Sequence, residues 1–180
     1  MPVSESATRL RIGHLNVYHL FNKAPDVSLL LNQSSQLTHL FGISETRLDS
    51  RIDNNSIRIP DYCVMRRDSS QTLHTGIALY VHQSIAMNIR RRTDLESEGV
   101  ECAWVEINDL KSPSLLVGYV YRNPAYPAAW FDNLHVDMWA VYTDVRTFVY
   151  TSSSVHTCVG KIMDVCIYKY VYAMACLCAD

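Results

Sequence analysis

A succession of short apolar runs is the feature of this sequence that most limits its fold. Each run is rich in β-branched and aromatic residues and ends at turn-forming or charged residues, a composition that predicts β-strands. We expect a further run at 85–92 to return as a hairpin beside the strand at 75–82. The predicted strands lie at about residues 9–17, 39–44, 57–66, 75–82, 101–107 and 114–121.

Helical patterns flank the strands on both sides. One helix is predicted to open at Pro25, because proline suits the first turn of a helix, and a second is predicted to open at Pro127. Several strands in succession between helices, without a regular βαβ alternation, predict an α/β (α+β) fold with a mixed sheet or two packed sheets. The apolar residues expected on one face of the first helix are Val27, Leu30, Leu31 and Leu37.

The composition of the chain changes near residue 140. Residues 1–8 are polar and predicted to be disordered, and residues 9–140 read as one α/β domain. Residues 141–180 hold five of the 11 tyrosines and four of the six cysteines, and we expect an unrelated, poorly ordered or β-prone tail. The apolar stretch 165–179 is shorter than the roughly 20 residues that a membrane helix needs and contains Lys169, so no membrane insertion is expected.

Charge and cysteine usage exclude several classes of protein. The net charge of −2 excludes a strongly basic chromatin-type protein. Residues 1–140 carry 13 basic and 15 acidic residues, which argues against tight DNA binding. The cysteines lack zinc-site spacing, and no secretory signal is visible, so we expect reduced thiols in a cytoplasmic or nuclear protein. No obligate protein partner is evident.

Three polar residues close apolar strand-like runs, where sheet proteins often place their sites. Asn16, Glu45 and Tyr121 are an amide, a carboxylate and a phenol. Such groups suit a hydrated Mg²⁺ ion and a phosphate, because hard cations prefer oxygen ligands. The alternative is that each residue is an ordinary cap or loop residue. Arg66 and Arg67 precede the run at 75–82 and are candidates for DNA contact, with a surface ion pair as the alternative.

Seven segments, taken in order, resemble one known superfamily. They include Gly-Ile-Ser-Glu-Thr at 42–46 and Tyr-Arg-Asn-Pro at 121–124. Together they resemble the endonuclease/exonuclease/phosphatase superfamily, and most of all the amino-terminal endonuclease domain of non-LTR, jockey-like retrotransposon polyproteins. The likeness runs from about Leu10 to Val141. The segments that carry it are residues 11–17, 42–49, 59–68, 76–81, 104–107, 120–124 and 130–134.

The resemblance implies a fold, a metal and a substrate. The implied fold is a four-layer α/β-sandwich, of which this chain would form a part, and the implied reaction is Mg²⁺-dependent hydrolysis of DNA phosphodiesters. In that scheme Glu45 and Asn16 resemble the metal-site carboxylate and amide. Tyr121 and Asn123 resemble catalytic residues at the phosphate, and Arg122 a contact to the DNA backbone.

The chain also departs from the superfamily pattern. The motifs Gly-Asp-Phe-Asn and Ser-Asp-His, which the resemblance assigns to the attacking water and the phosphate, do not occur in this sequence. We therefore expect little or no catalysis, with a non-catalytic nucleic-acid or protein binding domain, or a non-functional translated relic of a mobile element, as alternatives. We also expect apolar strand residues to lack a partner sheet or to be covered imperfectly by the tail, namely Ile77, Leu79, Val117 and Val120.

Overall fold

The computed structural model describes residues 10–68, 75–96, 100–108 and 114–122, and the backbone of three further strands at 146–153, 161–165 and 173–177. Within these residues the chain forms two five-stranded sheets with one long helix, which confirms the predicted α/β class. Asn123, the helix predicted at Pro127 and the terminal segment 1–8 lie outside the described residues.

The first sheet has the strand order β3-β4-β2-β1-β9. Strands β1 and β2 are parallel, and the other neighbours are antiparallel. Because parallel strands point the same way, the carboxyl ends of β1 and β2 meet at one edge, where Asn16 is paired with Ser44. The strands are β1 (Leu10–Asn16), β2 (Leu40–Ser44), β3 (Tyr62–Arg67), β4 (Ile77–His82) and β9 (Lys161–Val165).

The second sheet has the strand order β10-β8-β7-β6-β5. The antiparallel pair β6 and β7 sets Glu101 opposite Tyr121. The hairpin predicted between 75–82 and 85–92 is wrong: a short helix, α2 (Gln83–Ala86), follows β4, and β5 pairs with β6 instead. The strands are β5 (Ile89–Arg91), β6 (Glu101–Ile107), β7 (Leu115–Arg122), β8 (Arg146–Ser153) and β10 (Ala173–Leu177).

Helix α1 (Leu20–Gln33) begins five residues before the predicted start at Pro25. The backbone N–H groups of His19 and Leu20 donate to the carbonyls of Glu45 and Thr46, at 3.0 and 2.9 Å. The first N–H groups of a helix have no acceptor within the helix and are often satisfied by a local capping residue. Here the carbonyls of a segment distant in sequence accept these hydrogen bonds, so the start of α1 depends on that segment.

The apolar face of α1 matches the prediction in part. Val27 and Leu31 are buried against the first sheet. Leu30 and Leu37 are exposed, and Leu37 lies beyond the end of the helix. The helix therefore buries a narrower stripe than the sequence pattern indicated.

The main core lies between the two sheets. The expectation of uncovered strand faces is wrong, because Ile77, Leu79 and Val117 are buried in one cluster and Val120 is buried as well. Tyr119 marks how closely the sheets approach: its hydroxyl donates to the carbonyl of Gly13 at 3.2 Å in the opposite sheet. Facing sheets thus bury each other's apolar residues without a contribution from the absent motifs.

The tail supplies strands to both sheets through its backbone. Strand β9 pairs with β1, and β8 pairs with β7 and with β10. The division of the chain near residue 140 stays a prediction. None of the helices in the described residues has the length and apolar character required to cross a membrane.

Candidate active site

Asn16, Glu45 and Tyr121 meet where the ends of three strands converge. The amide Nδ2 of Asn16 donates to Glu45 Oε1 at 2.7 Å, and the hydroxyl of Tyr121 donates to the same oxygen at 2.9 Å. Asn16 ends β1, Glu45 follows β2, and Tyr121 lies near the end of β7 in the other sheet. A single carboxylate oxygen therefore joins the two sheets.

The backbone holds Glu45 in an unusual conformation. Its φ angle is 54°, in the left-handed region that side chains other than glycine rarely adopt. The carbonyl of Glu45 accepts from the N–H of His19, and the N–H of the next residue, Thr46, donates to Gly76 O at 3.2 Å. Strained backbone persists only where surrounding contacts enforce it, and it is typical of functional sites.

The donor set suits a weakly held, hydrated divalent cation. Glu45 is 6% exposed, and among the described residues its second oxygen, Oε2, has no hydrogen-bond partner. Mg²⁺ commonly binds through one or two carboxylates while keeping several waters or taking substrate phosphate oxygens. The described residues contain no cluster of three or more His, Cys, Asp or Glu side chains able to hold a metal. Glu45 with the Asn16 amide therefore fits Mg²⁺ only as a partial ligand set.

A second carboxylate, Glu101, lies near the cluster and was not predicted from the sequence. Its Oε2 accepts from the N–H of Gly76 at 3.1 Å. Burial raises the pKa of Glu101 above the usual range for glutamate; hydrogen bonds from Thr75 and Gly76 lower it, and the charge of Glu45 raises it further. Glu101 begins β6, which runs antiparallel to β7, so the first residue of one strand lies beside the end of the other. The sequence pattern points to the carboxyl ends of strands, whereas Glu101 lies at an amino end.

Two further unpredicted residues, Tyr18 and Arg47, flank the cluster. The Arg47 guanidinium carbon lies 3.3 Å from the centre of the Tyr18 ring. Their φ angles are 46° and 52°, so both adopt the left-handed conformation. Nothing in the strand pattern indicates them, because they lie in loops whose geometry depends on contacts between distant segments.

The predicted arginines are placed differently from one another. Arg66 donates to the carbonyls of Ile52 and Asp49 and pairs with Asp68, so it holds the loop after β2. Arg67 donates to Cys102 O at 3.1 Å, next to Glu101. Arg122 ends β7, and nothing is described of its side chain. Contact of any of these arginines with DNA stays a prediction.

Comparison with known proteins identifies the fold. No protein-family model matches the sequence, and no curated protein shows a significant match. A 3′ phosphatase from Neisseria, solved with a product DNA hairpin, matches with a TM-score of 0.54 at 14% identity, over 79% of this chain and 56% of that one. A 3′-5′ exonuclease from Neisseria meningitidis matches with a TM-score of 0.51 at 14% identity, over 79% and 57%.

These neighbours have the endonuclease/exonuclease/phosphatase fold, and at this level of identity the likeness concerns the fold alone. The chain spans a little over half the length of each. The architecture implied by the ordered sequence motifs is thus confirmed, and the chain forms a part of it.

Proposed function

We propose that this chain carries part of a Mg²⁺-dependent phosphodiesterase site acting on DNA, and that it binds cation and phosphate without hydrolysing the ester at a detectable rate. The observation that supports the proposal is the shared hydrogen bonding of Glu45 Oε1 by Asn16 and Tyr121. An amide, a carboxylate and a phenol drawn from two sheets are an unusual convergence for residues that serve only as caps or loop residues.

Each residue has a distinct role in the proposed site. Glu45 contributes the carboxylate for the cation, and Asn16 fixes the orientation of that carboxylate by donating to Oε1. Tyr121 also donates to Oε1, and on this proposal its hydroxyl donates instead to a phosphate oxygen when substrate binds. A bound Mg²⁺ would supply charge stabilisation at the phosphoryl oxygens.

Hydrolysis also needs a group that takes a proton from the attacking water, and the described strands of the tail bring no carboxylate close to the cluster. Asp164 of β9 is the one tail carboxylate whose backbone is described, and its Cα is paired with Arg11 near the start of β1. The cluster lies at the other end of that strand, beyond Asn16. Five residues of extended strand separate the two positions, about 16 Å at 3.3 Å per residue. Loss of one member of a catalytic unit commonly removes most of the rate.

We further propose that the chain derives from a retrotransposon endonuclease of the non-LTR, jockey-like type. The support is the order of seven sequence segments, several of which surround the cluster: 42–49 contains Glu45 and 120–124 contains Tyr121. A non-catalytic domain that binds nucleic acid without a cation at Glu45 is the second candidate function. It is favoured by the exposed Tyr18 ring stacked on Arg47 beside the cluster.

A nicking assay tests whether hydrolysis is absent. Supercoiled plasmid is incubated with the full chain in Mg²⁺ or Mn²⁺, and the Glu45→Ala variant serves as the control for contaminating nucleases. We expect the native chain and Glu45→Ala to show the same background nicking. Nicking by the native chain that disappears in Glu45→Ala would contradict the proposal, because the described residues would then suffice for catalysis.

A further inference from the structure

Tyr18 and Arg47 form a stacked pair at the margin of the cluster. The guanidinium carbon of Arg47 lies 3.3 Å from the Tyr18 ring centre, in face-on cation–π contact. Tyr18 is nevertheless 62% exposed. One arginine covers one face of a ring, so an exposed fraction this large means that much of the rest of the ring is open to solvent.

The pair is built on the same two segments as the cluster. Tyr18 follows Asn16 by two residues, and Arg47 follows Glu45 by two residues. Hydrogen bonds from the N–H groups of His19 and Leu20 to the carbonyls of Glu45 and Thr46 join the two segments. The Tyr18 N–H also donates to Asn16 Oδ1 at 3.3 Å. The stacked pair and the Glu45 carboxylate are therefore carried by the same two joined segments.

The backbone of these two segments adopts a conformation that is locally unfavourable. Tyr18, His19, Glu45 and Arg47 all have positive φ, although none is glycine. Each such conformation is unfavourable for a residue with a side chain, and contacts between the segments must compensate. The Nε of Arg47 is buried and has no hydrogen-bond partner among the described residues. Because that nitrogen is shielded from solvent, an external anion would be bound by the two terminal nitrogens of the guanidinium, which the ring stacking orients.

We propose that Tyr18 and Arg47 bind an unpaired nucleotide adjacent to the phosphate held at Glu45, with the base stacked on the Tyr18–Arg47 pair and the Arg47 guanidinium donating to the flanking phosphate. The location of the neighbouring phosphate rests on the proposed function. Every base has an apolar face that can stack on an aromatic or guanidinium surface. A base inside a duplex has both faces covered, so the pair discriminates in favour of single-stranded or locally unpaired nucleic acid.

The test is fluorescence anisotropy of the full chain with a labelled oligodeoxythymidine and with a duplex of the same length. Tyr18→Ala is expected to weaken binding of the single strand about fivefold or more and binding of the duplex less than twofold. Arg47→Ala is expected to weaken binding of the single strand and of the duplex. It is also expected to reduce the slope of log affinity against log salt concentration by about one, which corresponds to one released counterion. Tyr18→Phe, which keeps the ring, is expected to bind the single strand within twofold of the native chain.

Matched controls distinguish a loss of affinity specific to the Tyr18–Arg47 pair from a loss that any exposed substitution would cause. Leu29→Ala removes an exposed apolar side chain from α1, and Arg58→Ala removes an exposed arginine outside the cluster. Both are expected to leave single-strand affinity within twofold. Circular dichroism of each variant verifies that the chain remains folded, and Arg47→Lys, which keeps the charge but not the planar stack, is expected to keep the salt dependence and lose the preference for the single strand.

The Glu45→Gln variant distinguishes failure of this inference from failure of the proposed function. If Tyr18→Ala lowers single-strand affinity equally in the native and Glu45→Gln backgrounds, while Glu45→Gln alone has no effect, the pair binds nucleotide and the Glu45 phosphate site is wrong. If Glu45→Gln weakens binding in Mg²⁺ and Tyr18→Ala does not, the inference is overturned and the phosphate site stands. Equal losses on single strand and duplex for Tyr18→Ala would also overturn it.

Discussion

Strands of the first 122 residues and strands of the tail take part in the same two sheets but differ in what they contribute. Strands β1, β2 and β7 place named side chains, Asn16, Glu45 and Tyr121, in one hydrogen-bonded cluster. Strands β8 and β9 extend the sheets through backbone pairing, with β8 beside β7 and β9 beside β1. The described tail strands carry none of the sequence motifs that the superfamily resemblance requires.

This difference separates two requirements of a sheet enzyme. Pairing at a sheet edge needs extended backbone and β-prone residues, conditions that many apolar sequences meet. A catalytic site needs particular side chains at particular strand ends, which backbone pairing alone does not supply. Strand pairing in a fold and a complete set of catalytic side chains are therefore separate properties of a chain.

The largest loss of stability is expected where the two sheets contact each other within the first 122 residues. A Cβ added at Gly42 would lie 2.0 Å from the Tyr119 ring, whose hydroxyl is bonded to the opposite sheet. We expect Gly42→Val to lower the free energy of unfolding by more than about 3 kcal/mol, measured by urea denaturation, because the ring cannot move without breaking those contacts.

A double-mutant cycle is the control for this prediction. Tyr119→Ala removes the obstructing ring, so Gly42→Ala should be much less costly in the Tyr119→Ala background than in the native chain. Equal losses of stability in the two backgrounds would show that the Tyr119 ring is not the reason why a larger residue at position 42 destabilises the chain.

The next effect tests whether the tail strands belong to the fold. Val149 of β8 is paired with Gly118 of β7 on one side and with Met174 of β10 on the other. Proline removes a backbone donor, so Val149→Pro should destabilise the chain by about 2 kcal/mol, by urea denaturation. Met174→Pro, in a strand that pairs with β8 alone among the described strands, should cost less. If neither variant changes the unfolding transition, the tail adds nothing to the sheets.

The smallest effect is expected at His14, where the two regions meet, opposite Lys161 of β9 in register. Burial lowers the pKa of His14 from 6.5 to about 3. Below pH 6.5 the unfolded chain binds a proton that the folded chain does not, so stability falls as the pH drops from 6.5 towards 3.

Because of His14, the free energy of unfolding is expected to be about 1.4 kcal/mol lower at pH 5.5 than at pH 7.5. We expect the difference in unfolding free energy between these two pH values to be smaller by that amount in His14→Phe, measured by urea denaturation at both. A variant with the same pH dependence as the native chain would mean that His14 is accessible to protons in the folded state.

Much of the fold follows from local sequence pattern, because each strand is an apolar run bounded by turn residues. The meeting of Asn16 with Glu45 was predictable from two such runs, since the ends of parallel neighbours share an edge. Their roles toward metal and phosphate stay predictions. The start of α1 at Leu20 was not predictable, because its first donors are satisfied by Glu45 and Thr46, which are distant in sequence.

The unpredicted site residues have the same physical origin. Tyr18 and Arg47 are placed by left-handed loop conformations that no residue type at those positions signals. Glu101 reaches the cluster only because β6 runs antiparallel to β7. Which strands pair with each other depends on tertiary contacts, and so does the conformation of each loop. The local sequence pattern does not encode these contacts.

Cation binding at Glu45 is the most direct test of the account. Electron paramagnetic resonance of free Mn²⁺ during titration with the full chain measures the number and affinity of bound ions. We predict one weak site, with a dissociation constant on the order of millimolar, that Glu45→Gln removes, because a single carboxylate leaves the ion largely hydrated. Binding that persists unchanged in Glu45→Gln would contradict the assignment of this cluster as the metal and phosphate site, and a tight site would contradict the partial ligand set.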